Sequence, residues 1–128
     1  ALVNNVKLSF LHYPYPMIDN SHTFNKIRIA GVKDIACMKL VAISQRGEKK
    51  DYFDLYELLQ RYSPDDLRHM LLEKYGEDRM NLYHIGRSLL YFEDAEQTPA
   101  PVNRTKVQWG EVKSYIRSRS DDIAETFL

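Results

Sequence analysis

The sequence predicts an α+β chain, a short two-stranded sheet followed by about five helices. Three observations carry that expectation. Residues 1–31 contain two stretches in which apolar and polar residues alternate, the period of a half-buried strand. From residue 32 onward, apolar residues recur at three- and four-residue spacings, which line one face of a helix. Serine, proline, aspartate and glycine then fall where helices start and stop. The chain of 128 residues, 44% of them apolar and 28% charged, has the composition of a folded protein with a real core. It reads as a single domain or fragment, with a strand hairpin region at 1–31 and a helical region at 32–128.

Each element has its own justification. Val6 to His12 alternates as a strand and is stopped by Tyr13-Pro14-Tyr15-Pro16, because proline has no ladder donor. Residues 17–25 read as loop, and Lys26 to Ile29 as a second strand pairing with the first. Gly31 turns the chain, and Asp34 is placed to cap a helix running to Arg46. Ile35, Ala36, Met38, Leu40, Val41, Ala42 and Ile43 surround that helix, so it is expected inside the fold. Gly47 ends it. The second helix holds Phe53, Leu55, Tyr56 and Leu59 on one side. Ser63-Pro64-Asp65-Asp66 opens a third, with cap, first-turn proline and first-turn acids in sequence. Leu67, Met70, Leu71 and Tyr75 give its inner stripe, and Gly76 closes it. A fourth helix is expected over 79–91, and a last one from about Val107 to Phe127 with Trp109, Val112, Ile116 and Ile123 inward. Arg104, Lys106, Lys113, Arg117 and Arg119 make the first half of that region basic. Asp121, Asp122 and Glu125 make its end acidic, against the dipole of a single helix.

Eighteen basic residues balance eighteen acidic ones, so bulk charge favours neither nucleic acid nor membrane, and a basic site has to be local. No run is long enough to span a bilayer, and no membrane partner is expected. The single cysteine, Cys37, sits in the apolar helix, which suits a small buried thiol in a reducing, cytoplasmic compartment. The four histidines lack metal-ligand spacing. The first residues, Ala1-Leu2-Val3, lead almost directly into a strand pattern without an initiator Met, and the chain reads as the C-terminal portion of a longer protein.

The residues that stand out chemically gather around the first helix and the start of the second. Lys39 and Arg46 are two turns apart and point the same way. Lys39 is either a phosphate-pairing cation or a lysine that snorkels or pairs with an acid. Asp51 and Asp54, three residues apart, could share a divalent cation with phosphate oxygens. Their other reading is a helix-start carboxylate and a weak pair with Lys50. Arg46, Lys49 and Lys50 form either a solvated turn or a cradle for a polyphosphate.

Taken together, Asp34-Ile35-Ala36, Lys39-Leu40, Ala42, Arg46, Lys50-Asp51 and Asp54-Leu55 at these spacings resemble the C-terminal signature of the nucleotidyltransferase AbiEii/AbiGii toxin family. The resemblance extends to Ser88-Leu89 and Tyr91-Phe92-Glu93-Asp94-Ala95. It implies the C-terminal part of a polymerase-β-like nucleotidyltransferase, which transfers a nucleotide from an NTP to an acceptor, tRNA in some toxins. By that resemblance Lys39 binds the nucleotide, with Arg46 and Lys50 beside it. Asp51 is the acid most tied to activity, Asp54 supports it, and Asp34 is structural. Magnesium and an antitoxin protein are implied as cofactor and partner. The family's glycine-rich turn and paired aspartates have no counterpart in these residues. The Val6–Leu11 stretch carries Lys7 and Ser9 where a third carboxylate is sometimes found. Most magnesium ligands are therefore expected elsewhere, and the chain is expected to be inactive alone. The alternative is a non-catalytic helical interaction domain that binds a protein or RNA through its basic last helix.

Overall fold

The computed structural model describes residues 1–102 and 106–128; Arg104, counted above with the basic residues, lies outside the described residues. The chain is α+β, as expected, with two small antiparallel hairpins and seven α-helices among the described residues. In the first hairpin β1 (Leu2–Val3) pairs with β2 (Val6–Lys7), and in the second β3 (His22–Phe24) pairs with β4 (Ile27–Ile29). The expected pairing of the first strand with the second does not form. Each strand pairs with its immediate neighbour instead, across a two-residue turn with both residues at positive φ: Asn4 and Asn5 at 51° and 63°, Asn25 and Lys26 at 48° and 66°. Such turns match the twist of a hairpin, and asparagine tolerates them.

The helices are α1 (Val32–Gln45), α2 (Lys49–Arg61), α3 (Pro64–Tyr75), α4 (Leu82–Leu89), α5 (Glu93–Glu96), α6 (Trp109–Ser118) and α7 (Ser120–Phe127). α1 is central and packs against α2, α3 and α4. Its Ala36, Cys37, Leu40 and Ile43 are buried with Leu55 and Leu59 of α2, Leu67 and Leu71 of α3, and Ile85 and Leu89 of α4. Burial pushes the Cys37 thiol up to about 12. α1 is not enclosed on every side, however: Ile35 and Met38 are 40% and 39% exposed, and Lys39 lies on the same open side.

Asp34 does not cap α1. The helix starts earlier, at Val32 behind Gly31, which puts Asp34 inside the first turn and fully buried. There it accepts the Ile18 and Asp19 amides, each at 3.0 Å, and an ion pair from Lys74 Nζ at 2.6 Å. Lys74 Nζ also donates to the Pro16 carbonyl at 2.9 Å. The pair thus ties the 16–19 loop to α1 and α3. Burial raises the Asp34 carboxyl, but Lys74 and the two amides outweigh it and hold the group below the usual carboxylate range.

The long C-terminal helix divides at Arg119 into α6 and α7. Asp121 and Asp122 therefore sit in the first turn of a new helix, where the dipole favours acids rather than opposing them. α7 packs on α4, and Gly86 makes that approach feasible: a Cβ there would lie 2.4 Å from Cβ of Phe127.

Candidate phosphate-binding face

The α1–α2 junction is built by local rules. Arg46 caps the C-terminus of α1, its amide donating to the Ala42 carbonyl, and Gly47 follows at φ +56°, a left-handed conformation that glycine adopts without strain. α2 then opens behind Glu48, whose amide donates to Asp51 Oδ2 at 3.1 Å. Asp51 is fully buried, and Arg46 grips it with two parallel bonds, Nε to Oδ2 at 2.9 Å and Nη2 to Oδ1 at 2.7 Å. Burial raises the Asp51 carboxyl, but the Arg46 bonds, the Glu48 amide and the charges of Arg46 and Lys39 together lower it. The same bonds raise the Arg46 guanidinium further. Its side chain remains 46% exposed, so one edge is held by Asp51 while the rest reaches solvent.

Lys39 Nζ pairs with Asp54 at 2.8 Å, with side chains 34% and 44% exposed. Lys50 pairs with Glu48 at 3.2 Å rather than with Asp54. Lys39, Arg46 and Lys50 each stand against a carboxylate of their own, and the charges of Glu48 and Asp54, the partners of Lys50 and Lys39, are felt at Arg46. Asp54 is partly open, whereas both oxygens of Asp51 are engaged. Among the described residues no group of three histidine, cysteine, aspartate or glutamate side chains is placed to hold a metal ion. The donor set of this face does not fit a magnesium site on its own.

The cations of the last helices are engaged as well. Lys113 pairs with Glu96 at 2.8 Å and lies over Trp109. Arg117 lies over Phe92, and Arg119 over Tyr115. Two features stood outside the expected site. Lys74 is the buried lysine of the fold; its spacing from Leu67 and Leu71 already placed it on the inner stripe of α3. The second is a concave surface along α4 with His84, Ser88 and Tyr91, continuous with a smaller cavity bordered by Arg46 and Asp94. No motif in the sequence announced it.

The model of the family described as nucleotidyl transferase AbiEii toxin, type IV TA system, matches residues 6–126. The chain belongs to this family. The AbiEii match runs from the first hairpin to the penultimate residue of α7 and takes in every residue of the α1–α2 face. The chain is also 38% identical to the uncharacterized protein aq_aa25 of Aquifex aeolicus (strain VF5), across 97% of its own length and 60% of that protein. It thus spans about three fifths of the curated relative it matches. No solved structure matches the chain. Among the described residues no helix is long and apolar enough to cross a membrane.

Proposed function

We propose that this chain is the C-terminal portion of a toxin-like nucleotidyltransferase and that its α1–α2 face holds the triphosphate of an NTP. The observation that carries the reading is the two-bond lock of Arg46 on buried Asp51 at the α1–α2 junction, with the Lys39–Asp54 and Lys50–Glu48 pairs formed by the same two helices and their connection. A guanidinium so fixed loses little freedom when it meets a phosphate, and its charge-assisted bonds are directional. Lys39 supplies a second, mobile point charge. It exchanges Asp54 for a phosphate oxygen at little cost, because a part-exposed pair is worth about 0–1 kcal/mol. Asp54 is the carboxylate of this face that remains open to the reacting groups. Asp51 serves activity by positioning Arg46.

Magnesium, the metal implied for such a transfer, would supply neutralisation of the polyphosphate charge. Its ligands come mainly from residues outside this chain, in keeping with the greater length of the Aquifex relative. The acceptor is a nucleic acid such as tRNA, the neutralising partner an antitoxin protein, and the compartment the cytoplasm. The interaction-domain reading rests on Lys113, Arg117 and Arg119, which lie against Glu96, Phe92 and Tyr115 and include no guanidinium locked by a buried acid as Arg46 is.

The test is nucleotide transfer from labelled NTP by the full-length protein with magnesium. Lys39→Ala is expected to abolish transfer while leaving the thermal melt close to wild type. Normal transfer by that variant would remove the assignment.

A further inference from the structure

A concave surface runs along α4, apart from the ion pairs of the α1–α2 face. It encloses about 670 Å³, and a cavity of about 230 Å³ continues it toward Arg46, the two sharing His84, Ser88 and Tyr91. Two rows of α4 line it at helical spacing, Tyr83 with Arg87 and His84 with Ser88, and Tyr91 adds its ring just past the end of the helix. Gly86 lies off both rows and faces the other way, where it admits α7.

The chemistry of the lining is selective. Tyr83 and Tyr91 are 55% and 49% exposed, which leaves large aromatic faces in a concave setting. The Tyr91 ring is held, since its hydroxyl donates to Glu93 at 3.1 Å and its backbone carbonyl accepts from the Tyr52 hydroxyl. The Arg87 guanidinium lies over the Tyr83 ring, 5.9 Å from its centre, within reach of a cation–π contact. His84 Nε2 faces the Ser44 carbonyl at 3.0 Å. A carbonyl only accepts, so Nε2 carries the hydrogen, and Nδ1 is the ring nitrogen left for a ligand. Asn81 uses its Oδ1 to cap α4 at the His84 amide, which leaves its amide hydrogens to donate. No acidic side chain lines the larger cavity, whereas an arginine does.

Planar rings, an exposed guanidinium beside one of them, and donors and acceptors at the edge match one chemical class, an aromatic base carrying a phosphate. We propose that the α4 groove binds a nucleotide unit, its base stacked on the Tyr83 and Tyr91 side and its phosphate on Arg87. Stacking of this kind accepts any base, because each has a π face. The unit comes either from a free nucleoside triphosphate or from the end of a single strand, and the groove does not depend on the role given to Lys39.

Equilibrium binding of ATP and of a six-residue adenosine oligonucleotide to the full-length protein tests the assignment. Tyr83→Ala and Arg87→Gln are each expected to weaken at least one probe by about fivefold or more, the range of one stacked base. Tyr83→Phe, which keeps the ring, is expected to bind as wild type. Loss confined to ATP assigns the groove to the substrate base, and loss confined to the oligonucleotide assigns it to the acceptor strand. Unchanged binding of both probes by Tyr83→Ala and Arg87→Gln overturns the proposal. Lys39→Ala, measured alongside, reports on the α1–α2 face separately: its failure to weaken ATP leaves the groove untouched.

Discussion

At the scale of single residues, two buried carboxylates do different work. Asp34 and Lys74 form an ion pair closed to solvent, and removing one partner strands the other. Lys74→Met alone is expected to destabilise by about 3–5 kcal/mol, whereas a matched apolar replacement of both residues is expected to cost far less. Chemical denaturation of the single and double variants checks this. Asp51→Asn keeps the shape but weakens the grip on Arg46. It is expected to weaken NTP binding more than it lowers the melting temperature, since Arg46 then samples more orientations. Equal binding by this variant would show that Arg46 needs no positioning. The sequence marked Lys39 as the lysine in an apolar helix, and it is Lys74 that is buried. Periodicity could not separate them: α1 is apolar nearly all round, so no single face was distinguished, while Lys74 kept step with Leu67 and Leu71. The family signature did select Asp34 and Asp51, the two aspartates that the fold buries, but it could not tell that both are fully engaged.

At the scale of elements, punctuation was the most legible feature. Gly47, Ser63-Pro64 and Gly76 stop and start helices where the sequence placed them, because caps and left-handed turns are decided by neighbouring residues. The division of α6 from α7 was not legible. Ile116 and Ile123 are seven residues apart, so the apolar rhythm passes through the break at Arg119 without a missed beat. Nor was the role of Gly86, since only tertiary contact brings Phe127 against it. Gly86→Ala is expected to force α7 away from α4 and to lower stability by about 1–3 kcal/mol, as overpacking does. Thermal denaturation checks it, with Gly110→Ala, where nothing lies within 4 Å of the added carbon, as the tolerated control.

At the scale of the whole molecule, stability is concentrated in the helices. Every residue of both hairpins is exposed, including Leu2, Phe24 and Ile27, while the core gathers around α1. Hydrogen exchange is therefore expected to be fast throughout β1–β4 and slowest in α1, α2 and α3. Slow exchange in the hairpins would show that something covers them. The α+β character was readable from the two periods, but strand partners were not, because alternation names a strand and is silent about its neighbour. The pairs Asn4-Asn5 and Asn25-Lys26 held that information as turn chemistry. Acid sensitivity also belongs at this scale. Asp34 and Asp51 both have lowered folded-state values, so an unfolded chain binds protons first as pH falls. Their contribution is complete above the ordinary value of 3.8 and is lost as pH drops through the folded values beneath it. Asp34→Asn and Asp51→Asn are each expected to flatten the acid limb of a pH–stability curve.

The face formed by α1 and α2 is the centre of this account, and the affinity of the full-length protein for a nucleoside triphosphate tests it most directly. Lys39→Ala is expected to weaken that affinity by about tenfold or more, the loss of one charge-assisted contact, with the fold unchanged by circular dichroism. An affinity equal to wild type would contradict the assignment of this face to phosphate.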